Sequence, residues 1–468
     1  MSAPSPRPSG AARPSYAAVL RVPYARRTFT AALVGRLSYG MVSLAVMLAV
    51  TRTTGSYAVA GTVMALFGAM TVFLSPLRAA LVDRYGPRRA LIPMASLYAG
   101  LLCVLTAAVW RPGTPPVVLG TIAALTGCCA PPLGPTMRAV WSELLADRRL
   151  LQRAYSLDGV AEELLFVSGP LVVGVLVRFA PPAAGVALSA VLVATGTAAF
   201  VMSPAVGAVR AVRRVAARSV RSPGSLWSLR RGRRPAGGRG LSQPVVVAAG
   251  VGLALSAVDL LVIAFAEQRH HGDDVVAWVL AALSAGSAVG GLLNGAVDWR
   301  ASARVRLPLL TAGLGLALAA ASLAPGLGVL TVTVACAGLF VSPALTTAYL
   351  IADERALPGF RTRAGAWVNT AVNAGNSGGT AVMGLLLGRL PVGVCFLVAG
   401  GVAVVAAAGS EWSVRRTAAV ARRTPVALTE SAPPAFADGA LQAPQAAQAA
   451  QDTQDARDAV SRRPSGPR

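Results

Sequence analysis

The sequence predicts an all-α integral membrane protein, with twelve transmembrane helices in two six-helix bundles related by pseudo-symmetry. Three observations carry that expectation. The 468 residues are 54% hydrophobic and 13% charged, with a mean hydropathy of +0.60, whereas soluble domains carry about a quarter charged residues. So few charges cannot make a surface that hides this much apolar side chain from water, and lipid is the solvent that fits. Apolar runs then recur along the chain, each long enough to cross a hydrocarbon core of about 30 Å as a helix. Finally, the arginines gather in alternate loops between those runs.

In order, the first six runs cover 29–51, 57–82, 90–110, 116–140, 160–177 and 183–202. The second six cover 244–265, 275–297, 307–323, 327–351, 367–387 and 391–408. The first run is too long for a signal-peptide core and has no convincing cleavage site, so it is expected to stay in the protein. One side of the chain collects Arg21, Arg26 and Arg27, then Arg84, Arg88 and Arg89, then Arg148, Arg149 and Arg153. The same side takes the block 207–243, then Arg300, Arg304 and Arg306, then Arg355, Arg361 and Arg363. The other side has isolated arginines: Arg52, Arg111, Arg178, Arg269 and Arg389. This bias places the basic loops and both termini in the cytoplasm. It also accounts for most of the net charge of +24 without a nucleic-acid partner.

The domain plan follows. Residues 1–28 are expected to be a disordered N-terminus, 29–206 the first bundle, 207–243 a basic linker, 244–409 the second bundle and 410–468 a disordered tail. The halves carry traces of a duplication. A shift of 210 residues lays Gly169 and Gly174 on Gly379 and Gly384. A shift of 211 lays Pro132 and Glu143 on Pro343 and Glu354, and one of 215 lays Asp83 on Asp298.

The loop after the second run reads Asp83-Arg84-Tyr85-Gly86-Pro87-Arg88-Arg89. Its spacing of Asp83, Arg84, Gly86, Arg88 and Arg89 resembles the signature between the second and third helices of the major facilitator superfamily. It departs at the leading glycine, which is Ala79 here. The resemblance extends over residues 29–409 and implies a transporter working by alternating access. It also implies a gate in which Asp83 engages a helix start across the halves, near residues 363–367, since a carboxylate favours a helix N-terminus. Read from the residues alone, the stretch could equally be a turn with topology-setting arginines.

Polar groups inside the runs are the site candidates, because lipid makes them costly. In the first run Arg36, Tyr39 and Ser43 fall within about 60° of one another on a helix. In the tenth, Ser342, Thr346 and Tyr349 share a face in the same way. The resemblance implies that the first, fourth, seventh and tenth helices line a central cavity, so both stripes and Arg138 are expected to face it. Arg36 could instead snorkel to the interface. Glu162 and Glu163 open the fifth run and lie about 100° apart, so at most one can point inward. Either could pair with Arg36 or Arg138. Gly169, Pro170 and Gly174 resemble the Gly-Pro motif in the fifth helix of the family's exporters, without its upstream glycines. They are read as helix-packing positions. Asp259, deep in the seventh run, is the first choice for a proton-linked carboxylate, followed by Glu162 and Glu163. In the eleventh run Asn369, Asn373 and Asn376 share a face and could meet solute or bond between helices.

Other chemistry is absent from the pattern. The cysteines Cys103, Cys128, Cys129, Cys336 and Cys395 lie in apolar runs as packing residues. His270 and His271 with Asp273 and Asp274 make a weak metal pattern, and no metal or cofactor is expected. The chain has no phosphate-cradling loop and no nucleophile with a base, so it is not read as an enzyme. In the linker, Val209, Val212, Val215 and Val220 gather opposite Arg210, Arg213, Arg214, Arg218 and Arg221, as on a helix lying along an anionic membrane surface. The expected protein is a monomeric, proton-coupled exporter of a small molecule in the cytoplasmic membrane. Proton-coupled uptake and a transport-inactive sensor or scaffold are the alternatives.

Overall fold

The computed structural model describes residues 15–110, 113–207, 241–270, 273–357 and 359–423, and every regular element among them is an α-helix. A short helix, α1 (Tyr16–Arg21), precedes the first span, α2 (Ala25–Thr54). The second span is a pair, α3 (Tyr57–Phe73) and α4 (Ser75–Tyr85), bent by 43°. The third is α5 (Pro87–Trp110), and the fourth is broken into α6 (Pro116–Cys129) and α7 (Leu133–Leu144). The fifth and sixth are α8 (Arg148–Leu176) and α9 (Ala183–Met202). The second half runs α10 (Ser242–Gln268), α11 (Asp273–Ala296), α12 (Ala303–Ala321), α13 (Leu327–Arg355), α14 (Arg361–Leu387) and α15 (Val392–Arg423). Ten spans are long and apolar enough to cross a bilayer on their own, and the bent second span makes eleven. The remaining span, α14, is long enough but diluted by Arg361, Arg363 and three asparagines.

Two breaks come from proline. Pro76 has no N–H for the carbonyl of Val72, and Pro131 has none for that of Gly127. Outside donors replace them: the Thr370 hydroxyl donates to Val72 at 3.4 Å, and Arg78 donates to Gly127. Arg78 also donates to the carbonyl of Thr71, at the bend of the second span.

The repeat seen in the sequence has a packing counterpart. A side chain at Gly169 would overlap the backbone of Gly40, and one at Gly379 would overlap Leu253 and Ser256. Each glycine lets the fifth span of its half close on the first. Gly174 does not share this role: open space surrounds it. Five residues of helix turn it about 140° away from Gly169.

The apolar core is continuous between bundles only toward the arginine-rich face. There Phe29, Leu91, Leu133, Trp141 and Phe200 of the first bundle join the core of the second. Met41, Tyr98, Leu102, Leu119 and Val193 form a separate core farther out in the first bundle. Accordingly α4 and α7, the basic-face halves of the second and fourth spans, pack against α14, while α8 packs against α11 and α13.

Several helices outrun the apolar runs that announced them. The fifth span starts at Arg148 rather than 160, because Asp147 caps it, its carboxylate accepting from the Arg149 N–H at 2.9 Å. The expectation of disorder over 1–28 is corrected for residues 15–28. Ser15 caps α1, Val19 is buried, and the Tyr16 hydroxyl donates to the Leu292 carbonyl at 2.5 Å. Likewise α15 continues past 409 to Arg423. The helix expected over 209–221 and the tail from 424 lie outside the described residues.

Candidate functional site

Beneath the joined face, four ionic side chains meet. Arg36 comes from α2, Arg138 from α7, and Asp158 and Glu162 from successive turns of α8. Arg36 Nη1 donates to Asp158 Oδ1 at 2.7 Å, and its Nη2 lies 3.1 Å from Glu162 Oε1. Arg138 Nε lies 2.8 Å from Asp158 Oδ2, and its Nη2 donates to Glu162 Oε2. Each acid therefore bridges both arginines, and the four charges cancel. From the opposite bundle the ring of Tyr349 on α13 lies 3.8 Å from the Arg138 guanidinium. The Tyr155 hydroxyl donates to the Arg138 carbonyl at 3.0 Å, fixing α7 against α8.

Local sequence explains the assembly. Asp158 and Glu162 are four residues apart, so they share one face of α8. The Pro131–Pro132 break restarts the fourth span as α7, which carries Arg138. Removing one member would strand a buried charge, at a cost of about 3–5 kcal/mol. Accessibility rises along α8, from 0% at Asp158 to 31% at Glu162. Of the four side chains, Glu162 alone is substantially accessible. A proton or cation arriving there would unbalance the cluster and release a guanidinium.

Asp158 is the member that the sequence reading missed, because the apolar run began at 160 and left it outside. Its spacing to Glu162 was the available signal. Glu163 points elsewhere and accepts from the Ser287 hydroxyl on α11 at 2.7 Å. Asp259 is accessible rather than buried, and it takes no hydrogen bond or ion pair among the described residues. The first-span stripe divides: Arg36 enters the cluster, the Tyr39 hydroxyl donates to the Pro131 carbonyl at 2.6 Å, and Ser43 is exposed. Ser342 and Thr346 are buried against Gly159 of α8, in line with Tyr349. The Asn373 amide donates to the Asn369 carbonyl of its own helix at 2.8 Å. The α14 backbone at Val372 and Asn376 packs on Gly252 of the seventh span, and the Asn376 side chain is exposed. His271 and the side chains of Asp273 and Asp274 lie outside the described residues.

The Asp83 carboxylate accepts from the backbone N–H groups of Thr362 at 3.3 Å and Arg363 at 2.8 Å. Phe360, at the N-cap of α14, gives no side-chain cap, so Asp83 supplies one from the other bundle. Gly86 turns the chain between α4 and α5 at φ 86°, a conformation that disfavours side chains. Arg84 lies 5.3 Å from the ring of Tyr85, and Arg88 and Arg89 are exposed. Asp298 occupies the matching place in the second half. It pairs with Arg153 at 3.3 Å and Arg149 at 3.6 Å, at the start of the fifth span. Arg148 pairs with Glu354, and Arg361 donates to the carbonyl and hydroxyl of Ser142 at 3.1 and 2.9 Å.

Two six-span bundles closing over a central ionic site define a membrane transporter, not an enzyme. The chain belongs to the Major Facilitator Superfamily, whose sequence profile matches residues 28–356. It is accordingly a secondary transporter of a small molecule in a lipid bilayer. Similar folds are seen in solved transporters. A bacterial homologue of the iron transporter ferroportin, in its outward-facing state, aligns at a TM-score of 0.61 with 14% identity, covering 84% of this chain and 99% of that one. The human organic anion transporter TETRAN aligns at 0.60 with 15% identity, over 82% and 99%. The E. coli fucose:proton symporter aligns at 0.53 with 16% identity, over 84% and 99%. No curated protein matches the chain.

Proposed function

We propose that this transporter is a proton-coupled exporter of the cytoplasmic membrane, acting as a monomer with its basic face and both termini inside. The observation that carries the reading is the neutral cluster of Arg36, Arg138, Asp158 and Glu162, open only at Glu162. Glu162 takes a proton from outside, which frees Arg138 and loosens its hold on Tyr349 of the opposite bundle. The bundles then rock, the acid discharges inward as the solute binds from inside, and the return stroke carries the solute out. Gly169 and Pro170, where the fifth span packs on the first, support the outward direction. Asp259 is the outer acid on the same route, and Glu163 the relay toward α11.

The test uses proteoliposomes holding a pH-sensitive dye and an imposed pH gradient, screened against a panel of solutes. Wild-type protein should drive solute against its own gradient while dissipating the proton gradient. Glu162→Gln should lose uphill transport and keep downhill exchange. Uphill transport with unchanged pH dependence in Glu162→Gln would refute this assignment. The sign of the driven flux separates export from uptake.

A further inference from the structure

On the basic face, away from the central cluster, a pocket of about 380 Å³ opens where the start of α8 meets the loop 297–302 and the start of α12. Five arginines line it: Arg148, Arg149, Arg153, Arg300 and Arg306. Only three acids do, Asp147, Asp298 and Glu354, so five cations less three anions leave a charge of +2. The acids are already engaged. Asp298 holds Arg149 and Arg153, Glu354 holds Arg148, and Asp147 caps α8.

Arg300 and Arg306 are left over. Arg300 is exposed on the rim and forms no ion pair among the described residues. Arg306 is 5% exposed, with its guanidinium 5.1 Å from the ring of Trp299. Its Nη2 donates to Gln152 Oε1 at 3.2 Å, but its Nε and Nη1 donate to nothing. Buried guanidinium N–H groups without an acceptor are costly and rare. Ser302 and Ala303, at the start of α12, line the same pocket, and the Ser302 side chain makes no cap. The opening N–H groups of a long helix therefore add to the surplus of donors.

We propose that this pocket binds a phosphate-bearing anion, which bridges the arginines of α8 in one bundle to Arg306 and Arg300 in the other and holds the basic face shut. The chemistry fits. A phosphate presents several acceptor oxygens, which offer partners to the unpaired Nε and Nη1 of Arg306, and its charge matches the surplus. The anion is either free phosphate or the headgroup of an anionic lipid at the membrane edge.

The test is the thermal unfolding midpoint of the full chain in neutral detergent. In one arm inorganic phosphate is titrated against chloride at matched ionic strength. In the other, phosphatidylglycerol is titrated against phosphatidylcholine. A saturable rise with phosphate identifies the free anion, and a rise with phosphatidylglycerol alone identifies the headgroup. Arg306→Gln and Arg300→Gln should each weaken the half-saturating concentration about tenfold, while Arg27→Gln, elsewhere on the same face, should not. No saturable rise with either probe would overturn the proposal, as would a wild-type response from Arg300→Gln. Arg300 lies on the exposed rim, so that variant decides the matter even if Arg306→Gln fails to fold.

Discussion

Arg78 is buried in the second span with no acid paired to it among the described residues, and it answers to two carbonyls instead. One is Gly127, orphaned by Pro131; the other is Thr71, at the bend of its own span. A single guanidinium thus stitches two interrupted helices. Arg78→Met keeps an unbranched apolar stem and removes the donors, leaving both carbonyls in an apolar interior. Hydrogen bonds to charged groups contribute about 1.5–3 kcal/mol each. The variant should therefore lose on the order of 3 kcal/mol of stability in detergent unfolding followed by tryptophan fluorescence. A wild-type midpoint would mean that the two carbonyls find other donors. Residues of this kind were hardly legible in advance. Arg78 lies inside the run 57–82, but nothing in the sequence sets it beside the break in the fourth span. Arg36, Arg138 and Glu162 were legible because opposite charges inside separate apolar runs call for one another. Asp158 was not, because hydropathy ends a span where polarity begins, and the helix ignores that boundary.

At the level of whole helices, hydropathy located every span, since the cost of burying polar backbone in lipid leaves helix as the solution. It said less about ends and nothing about breaks. Caps such as Asp147 carry helices beyond the apolar stretch, and the effect of Pro76 or Pro131 depends on which neighbour supplies the missing donor. Contacts between spans are set by small residues, and they follow from the repeat better than from hydropathy. Gly169 meets Gly40 backbone to backbone. Gly169→Leu should separate the first and fifth spans, pull Arg36 from Asp158, and appear as loss of the monodisperse peak in size-exclusion chromatography. Gly174→Leu, facing open space, should elute as wild type. Equal behaviour of the two variants would contradict the packing described.

Across the whole molecule, the bundles are joined on the basic face by two related clasps. Asp83 caps the eleventh span, and Asp298 holds arginines at the start of the fifth. The 215-residue offset between these acids is the same duplication acting twice. Redundant clasps should fail gradually. With Ser142→Cys as a reporter beside Arg361, in a protein lacking its native cysteines, Asp83→Asn or Asp298→Asn alone should speed maleimide labelling several-fold. The double variant should exceed the product of the two. Labelling at the wild-type rate in the double variant would show that apolar packing alone keeps the face closed. Asp83→Asn should also cut transport severely while leaving membrane insertion intact, as measured by flux in reconstituted vesicles at matched protein content.

The central cluster also sets an order of assembly during synthesis. Arg36 and Arg138 leave the ribosome before either of their acids, so the first and fourth spans reach the membrane carrying unmatched cations. Each costs about 2.5–3.5 kcal/mol at the centre of a helix on insertion scales. Only when α8 emerges can Asp158 and Glu162 cancel both. A nascent chain stopped short of residue 158 should be held at the insertion machinery or handed to proteolysis, and one extended past 176 should escape that fate with its charges matched. The fifth span is therefore the part of the first bundle that certifies the four made before it.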